Sequence, residues 1–145
     1  FLKAISNRIT GENLYNPSMN ELYSCDENPQ KAEQIAISLI ETWEIASQLV
    51  KKNGGTFTAI LQPVAFVGEP KIDYLYLNEE HHVEYLKQYK VVYPLIKQYA
   101  KKSNLNFFDL TDIFNGCDNC YIDLCHVGPQ GQQILVNEMS NLLLN

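Results

Sequence analysis

Thr56-Phe57-Thr58-Ala59-Ile60-Leu61-Gln62-Pro63 separates two long stretches of helical spacing. The segment is short and β-branched, turns continuously apolar at its end, and is stopped by a proline. That is the pattern of a strand covered on both faces, as in a parallel sheet. On its N-terminal side, over residues 29–53, Ala36, Leu39, Ile40, Trp43, Ala46 and Val50 follow i, i+3, i+4, i+7 spacing, and Asn53-Gly54-Gly55 supplies the stop. On its C-terminal side, residues 78–103 carry a second helical stripe of Val83, Leu86, Tyr93, Ile96 and Ala100. Pro94 lies inside that stripe and predicts a kink or a restart. Leu105-Asn106-Phe107-Phe108-Asp109-Leu110 reads as a second strand. Pro129 then opens a last helix to Leu144, with Ile134, Leu135, Met139, Leu142 and Leu143 as its apolar face.

Strands alternating with long helices indicate parallel α/β architecture with right-handed crossovers. Two strands cannot bury three long amphipathic helices, so the pattern reads as part of a larger fold. Residues 1–145 form one domain on this reading, with no internal repeat and no low-complexity tract. Residues 1–9 read as a short helix with Leu2, Ile5 and Ile9 on one face, and residues 10–29 as a long polar loop. Loops of that length in compact domains are uncommon and often functional. Gly68-Glu69-Pro70 marks residues 64–77 as a flexible segment near a site rim. An incomplete sheet also leaves an edge that another chain can complete.

Composition excludes several functions. The 145 residues carry 11 Lys+Arg against 17 Asp+Glu, a net charge of −6. That acidity argues against a nucleic-acid partner, which needs a basic face to displace counterions. Arg8 is the sole arginine, so bidentate recognition of phosphate or carboxylate is poorly served. Hydrophobic residues make up 46%, which rules out global disorder, and no apolar run of 18 or more residues spans a membrane. The chain begins Phe1-Leu2-Lys3, without an initiator Met or the pattern of a signal peptide, so the expectation is that upstream sequence has been removed. The compartment is unknown from the sequence.

The chemistry concentrates in residues 115–128 and their exit, Tyr121-Ile122-Asp123-Leu124-Cys125-His126-Val127-Gly128-Pro129-Gln130-Gly131. An Asp and a His three apart on a loop before a helix can turn to the same side. The Asp123 carboxylate then accepts the Nδ1 proton of His126 and leaves Nε2 as a general base. The position fits, because sites in parallel α/β sheets lie beyond the carboxyl ends of strands. The plainer alternative is a solvated Asp and a His capping the last helix.

The run from Asn104 through Met139 resembles the C-terminal block of SGNH (GDSL-type) hydrolases, in which a final strand leads to a loop with an Asp-x-x-His pair, a Gly-containing turn and a closing helix. The resemblance covers roughly residues 30–145. It implies a partial three-layer α/β/α, flavodoxin-like fold with parallel strands whose N-terminal strands are missing from this chain. It implies the Asp-His half of a Ser-His-Asp triad, with Asp123 orienting His126, acting on O-acyl esters of a glycan, lipid or small molecule, with no cofactor and no metal. The family's Gly-Asp-Ser nucleophile motif is absent. Gly11-Glu12-Asn13-Leu14 has the Gly-x-Asn spacing of the oxyanion-hole motif but lacks its Asp. None of Ser6, Ser18, Ser24, Ser38, Ser47, Ser103 or Ser140 sits at a strand-to-helix elbow. One rival is a non-catalytic interaction or accessory module that keeps the fold remnant, and a second is a small metal or redox module centred on Cys117, Cys120 and Cys125.

Cys117-x-x-Cys120-x4-Cys125-His126 leaves three readings open. Paired thiolates two apart have metal-ligand spacing, so Cys117, Cys120 and Cys125 form a candidate zinc set. A Cys-x-x-Cys also serves redox chemistry, although Asp118 makes this loop acidic. The favoured reading is one or two disulfides pinning the loop, with Cys25 as a long-range partner. His81 and His82, beside Glu79 and Glu80, read as an exposed helix start. Tyr74, Tyr76, Tyr85, Tyr89, Tyr93 and Tyr99 read as half-buried packing residues with wet hydroxyls.

Overall fold

The computed structural model describes residues 24–77 and 80–144. The expectations for residues 1–23, namely a first helix, most of the long loop, the Gly11-Glu12-Asn13 spacing, Ser6 and Ser18, lie outside the described residues.

The chain runs α1 (Pro29–Lys52), β1 (Ala59–Leu61), α2 (Glu80–Lys102), β2 (Phe107–Asp109) and α3 (Pro129–Leu144). It is a mixed α/β arrangement. The Asn28 side chain caps α1 by accepting from the Lys31 backbone N–H at 3.0 Å, and Pro29 follows where a missing N–H costs nothing. Lys51 and Lys52 sit in the last turn, where the helix dipole favours cations. β1 and β2 pair in parallel with Ala59 opposite Phe107 and Leu61 opposite Asp109. The strands are shorter than the apolar runs that encode them. Beyond each end the backbone turns away, to the Leu110 N–H on Leu61 O at 3.1 Å on one side and the Ala59 N–H on Asn106 O at 2.8 Å on the other.

Ala36, Ile40, Leu61, Val64, Tyr93, Ile96 and Ala100 form the main core, where α1 packs on α2 over the sheet. Trp43 of α1 meets Phe107 of β2, with ring centroids 6.1 Å apart. Each aliphatic side chain buried here contributes about 1.5–3 kcal/mol. The Tyr99 hydroxyl of α2 donates to Glu33 of α1. A second core of Ala65, Phe114, Cys120 and Tyr121 lies under the loops, with Ile134 and Leu135 of α3 packed against it. So α3 is held by loop residues.

Three expectations need correction. Of the kink or restart expected at Pro94, the restart does not occur: α2 runs on through that exposed residue. Its buried stripe is confined to Tyr93, Ile96 and Ala100, and Val83 stays 48% exposed because the first turns of α2 extend past the main core. Residues 64–77 are not a loose rim. The Ala65 N–H donates to Leu124 O at 2.9 Å, the Lys71 N–H to Cys117 O at 3.0 Å, and the Gly116 N–H to Glu69 O at 2.9 Å. The Glu69 N–H adds a bond to Asn115 Oδ1 at 2.6 Å. Gly68 makes this approach feasible. Its φ is +78°, and a Cβ there would lie 2.6 Å from Asn115 Oδ1.

Candidate functional site

The segment after β2 is built as a closed turn. The Ile122 N–H donates to His126 O, the Gly128 N–H donates to Cys120 O, both at 2.8 Å, and Tyr121 and Val127 form an antiparallel bridge. Inside this turn one oxygen of Asp123, Oδ1, accepts the backbone N–H groups of Cys125 at 2.9 Å and His126 at 2.8 Å. Asp is well suited here, since its short carboxylate bonds its own backbone two and three residues on. The second oxygen, Oδ2, lies 2.7 Å from His126 Nδ1.

The two N–H groups from Cys125 and His126 are the main reason the Asp123 carboxyl is held down to about 2, with the imidazole adding to them. An ionised carboxylate only accepts, so Nδ1 carries a proton, and in the neutral form of the ring Nε2 then presents a lone pair. About 74% of the His126 side-chain surface and 48% of that of Asp123 remain open. Among the described residues none hydrogen-bonds Nε2. The pair expected from the Asp-x-x-His spacing is therefore formed, with both side chains turned the same way.

The cysteines divide. Cys117 and Cys120 are joined in a disulfide, the kind of pinning favoured from the sequence, and this removes both from the alternative zinc set. Asn119 adopts φ 58° inside that small ring, a conformation Asn tolerates better than most residues. Cys25 and Cys125 are free thiols, so Cys25 does not pin the loop covalently. Burial pushes both thiols up, and for Cys125 the neighbouring Asp123 charge pushes further. The Cys125 Sγ lies 3.8 Å from His126 Nδ1, not at the free Nε2. Cys125 is therefore not placed as a nucleophile for that base.

Tyr74, expected to pack with a wet hydroxyl, instead bonds the turn, and Asp109 anchors the end of β2. The Tyr74 hydroxyl donates to Tyr121 O and accepts from the Tyr121 N–H, both at 3.0 Å. This brackets the peptide unit two residues before Asp123. Nothing local marks Tyr74 for the role, since its partner is 47 residues away. At the end of β2, Asp109 accepts from Lys97 Nζ at 2.9 Å and from the Thr111 backbone and hydroxyl. Burial works against that carboxylate, but the Lys97 and Thr111 bonds outweigh it and hold it below the ordinary range. Tyr93, deeply buried and raised by that burial, packs in the same core that Cys125 touches. A pocket of about 270 Å³ lined by Cys25, Ile35, Tyr85, Gln88, Tyr89, Val92 and Tyr93 opens on the α1–α2 side of this core.

No described serine hydrogen-bonds His126. Among the described residues no helix is long and apolar enough to cross a membrane. Comparison with protein-family models, curated proteins and solved structures gave no match.

Proposed function

We propose that this chain is the C-terminal part of an SGNH-like serine hydrolase of three-layer α/β/α architecture, whose N-terminal strands and nucleophile lie upstream. The observation that carries this reading is the 2.7 Å contact from Asp123 Oδ2 to His126 Nδ1, on the loop that leaves a parallel strand, with Nε2 unbonded. The open Nε2 on the same ring is what supports the enzyme over the accessory reading.

In this mechanism His126 Nε2 takes the proton of a serine hydroxyl as its oxygen attacks the acyl carbon of an ester. The tetrahedral oxyanion collapses, His126 returns the proton to the departing alcohol oxygen, and water repeats the cycle to release the acid. Asp123 stays ionised throughout, orients the ring and stabilises the imidazolium. The substrates are O-acyl esters of a glycan, lipid or small molecule. The chemistry requires no metal or organic cofactor.

The test reads the coding sequence upstream of Phe1 and assays the protein it encodes with a p-nitrophenyl ester and a fluorophosphonate probe. The expected result is a Gly-Asp-Ser strand-to-helix block upstream. Hydrolysis should then fall ~10⁴-fold on His126→Ala and by a similar factor on Asp123→Asn. Hydrolysis unaffected by His126→Ala would overturn the proposal. So would probe-sensitive esterase activity from the 145-residue chain itself that is abolished by changing one of its own serines.

A further inference from the structure

Asp123, Cys125 and His126 offer one carboxylate oxygen, one sulfur and one ring nitrogen, all within 4.8 Å of one another. The sequence-level zinc set loses Cys117 and Cys120 to their disulfide. It leaves behind a different set in the turn itself. We infer that Asp123 Oδ2, Cys125 Sγ and His126 Nδ1 form a three-donor site for a thiophilic divalent cation of the Zn²⁺ class, and that its capture switches off the base at Nε2. The switching consequence rests on the hydrolase reading above, whereas the binding site does not.

The distances favour it. Zinc at ordinary bond lengths and tetrahedral angles needs about 3.6 Å between S and N and about 3.4 Å between N and O. The turn holds Sγ to Nδ1 at 3.8 Å and Oδ2 to Nδ1 at 2.7 Å. A ring rotation opens the second contact by about 0.7 Å, and Sγ and Oδ2, which lie within 4.8 Å of each other, must also come to about 3.6 Å. Oδ1 fixes the Asp123 side chain against the backbone, so the closing movement falls to the Cys125 and His126 side chains. Exposure of Asp123 and His126 leaves the fourth position to water.

The protons balance simply. The cation displaces the thiol proton of Cys125 into solvent, and thiolate plus carboxylate neutralise its two charges. The neutral imidazole keeps one proton but moves it from Nδ1 to Nε2. With N–H at Nε2 the ring is a donor at the position where catalysis needs an acceptor. No atom is oxidised or reduced.

The experiment uses the disulfide-intact chain without thiol reductant. Co²⁺ is titrated as the spectroscopic probe and then displaced with Zn²⁺, followed by long-range ¹H–¹⁵N NMR of the imidazoles. The expected result is one equivalent of Co²⁺ with a thiolate-to-cobalt charge-transfer band. On Zn²⁺ addition the His126 proton should pass from Nδ1 to Nε2. Cys125→Ser should remove the band, and His126→Gln, at an exposed position that folding does not need, should weaken Zn²⁺ at least tenfold. Cys25→Ser should change neither. A band that survives Cys125→Ser, binding indifferent to His126→Gln, or an unmoved tautomer would overturn the inference. If the hydrolase reading fails, the coding sequence lacks a nucleophile while the cobalt band and tautomer shift persist. If this inference fails, the band is lost while hydrolysis stands.

Discussion

Gly131, in the first turn of α3, is the position where the packing of the site turn can be tested most sharply. It is buried, and a Cβ there would stand 2.5 Å from Val127 Cγ1, 2.6 Å from Cys120 O and 3.1 Å from Phe114 Cζ. The valine methyl can rotate aside. The Cys120 carbonyl cannot retreat cheaply, because it accepts the Gly128 N–H at 2.8 Å and belongs to the disulfide ring beside the Tyr74 clamp. Gly131→Ala gains at most about 1 kcal/mol in helix propensity. Forcing α3 off the carbonyl costs about 3 kcal/mol, the upper end for an overpacked core. The net loss is about 2 kcal/mol, which for a domain of this size lowers Tm by about 4–8 °C. Gly54→Ala is the matched comparison. Gly54 has φ +77° but nothing within 4 Å of a Cβ, so it loses only the left-handed penalty of about 1 kcal/mol. Thermal melts followed by far-UV and near-UV circular dichroism report both variants, the near-UV band reading the Phe114–Tyr121 edge-to-face pair. A Gly131→Ala variant as stable as the parent would refute the claim that helix and turn are in backbone contact.

Three further outcomes follow from the same turn. The Asp123 carboxyl is held at about 2, below its unfolded value, so its contribution is complete above pH 4 and is lost as pH falls from about 4 to about 2. The shift sets a ceiling of about 2 kcal/mol, which half-exposure reduces to about 1 kcal/mol, and urea titrations of parent and Asp123→Asn should converge near pH 2 and diverge by about 1 kcal/mol at pH 6. Tyr74→Phe keeps the ring but strands both polar groups of the Tyr121 peptide. It should cost about 1–3 kcal/mol by chemical denaturation and erase the hydrogen-exchange protection of that amide. Reducing the Cys117–Cys120 bond, or replacing both by Ser, should cost about 2 kcal/mol from loop entropy, seen as a lower melting temperature, whereas Cys25→Ser should give no comparable redox sensitivity.

Legibility from the sequence followed the range of the interactions. The C-terminal stop of α1, the apolar ends of both strands and the Asp123–His126 pair are local, and each is written within four residues of itself. Which two cysteines join was also a local matter, but three readings shared the same spacing. Residues 64–77 misled because Gly68-Glu69-Pro70 has the composition of a loose loop. Its order comes from hydrogen bonds to residues 115–124, some 46 or more positions on, which leave no periodic trace. Pro94 misled for a different reason. A proline at the solvent side of a long helix loses one backbone bond without breaking the rod, and only the packing of Tyr93 and Ile96 says which side is outward.

Among the described residues every bond to Asp123 comes from Cys125 or His126, so the alignment of the pair is local, whereas the turn that carries it is held from outside by Tyr74 and by the Ala65–Leu124 bond. Inserting one residue between Asp123 and His126 shifts the register of both backbone donors and breaks the unit at once. A graft of residues 120–128 onto another hairpin therefore has to bring Cys117 for the disulfide and a substitute for the Tyr74 hydroxyl as well.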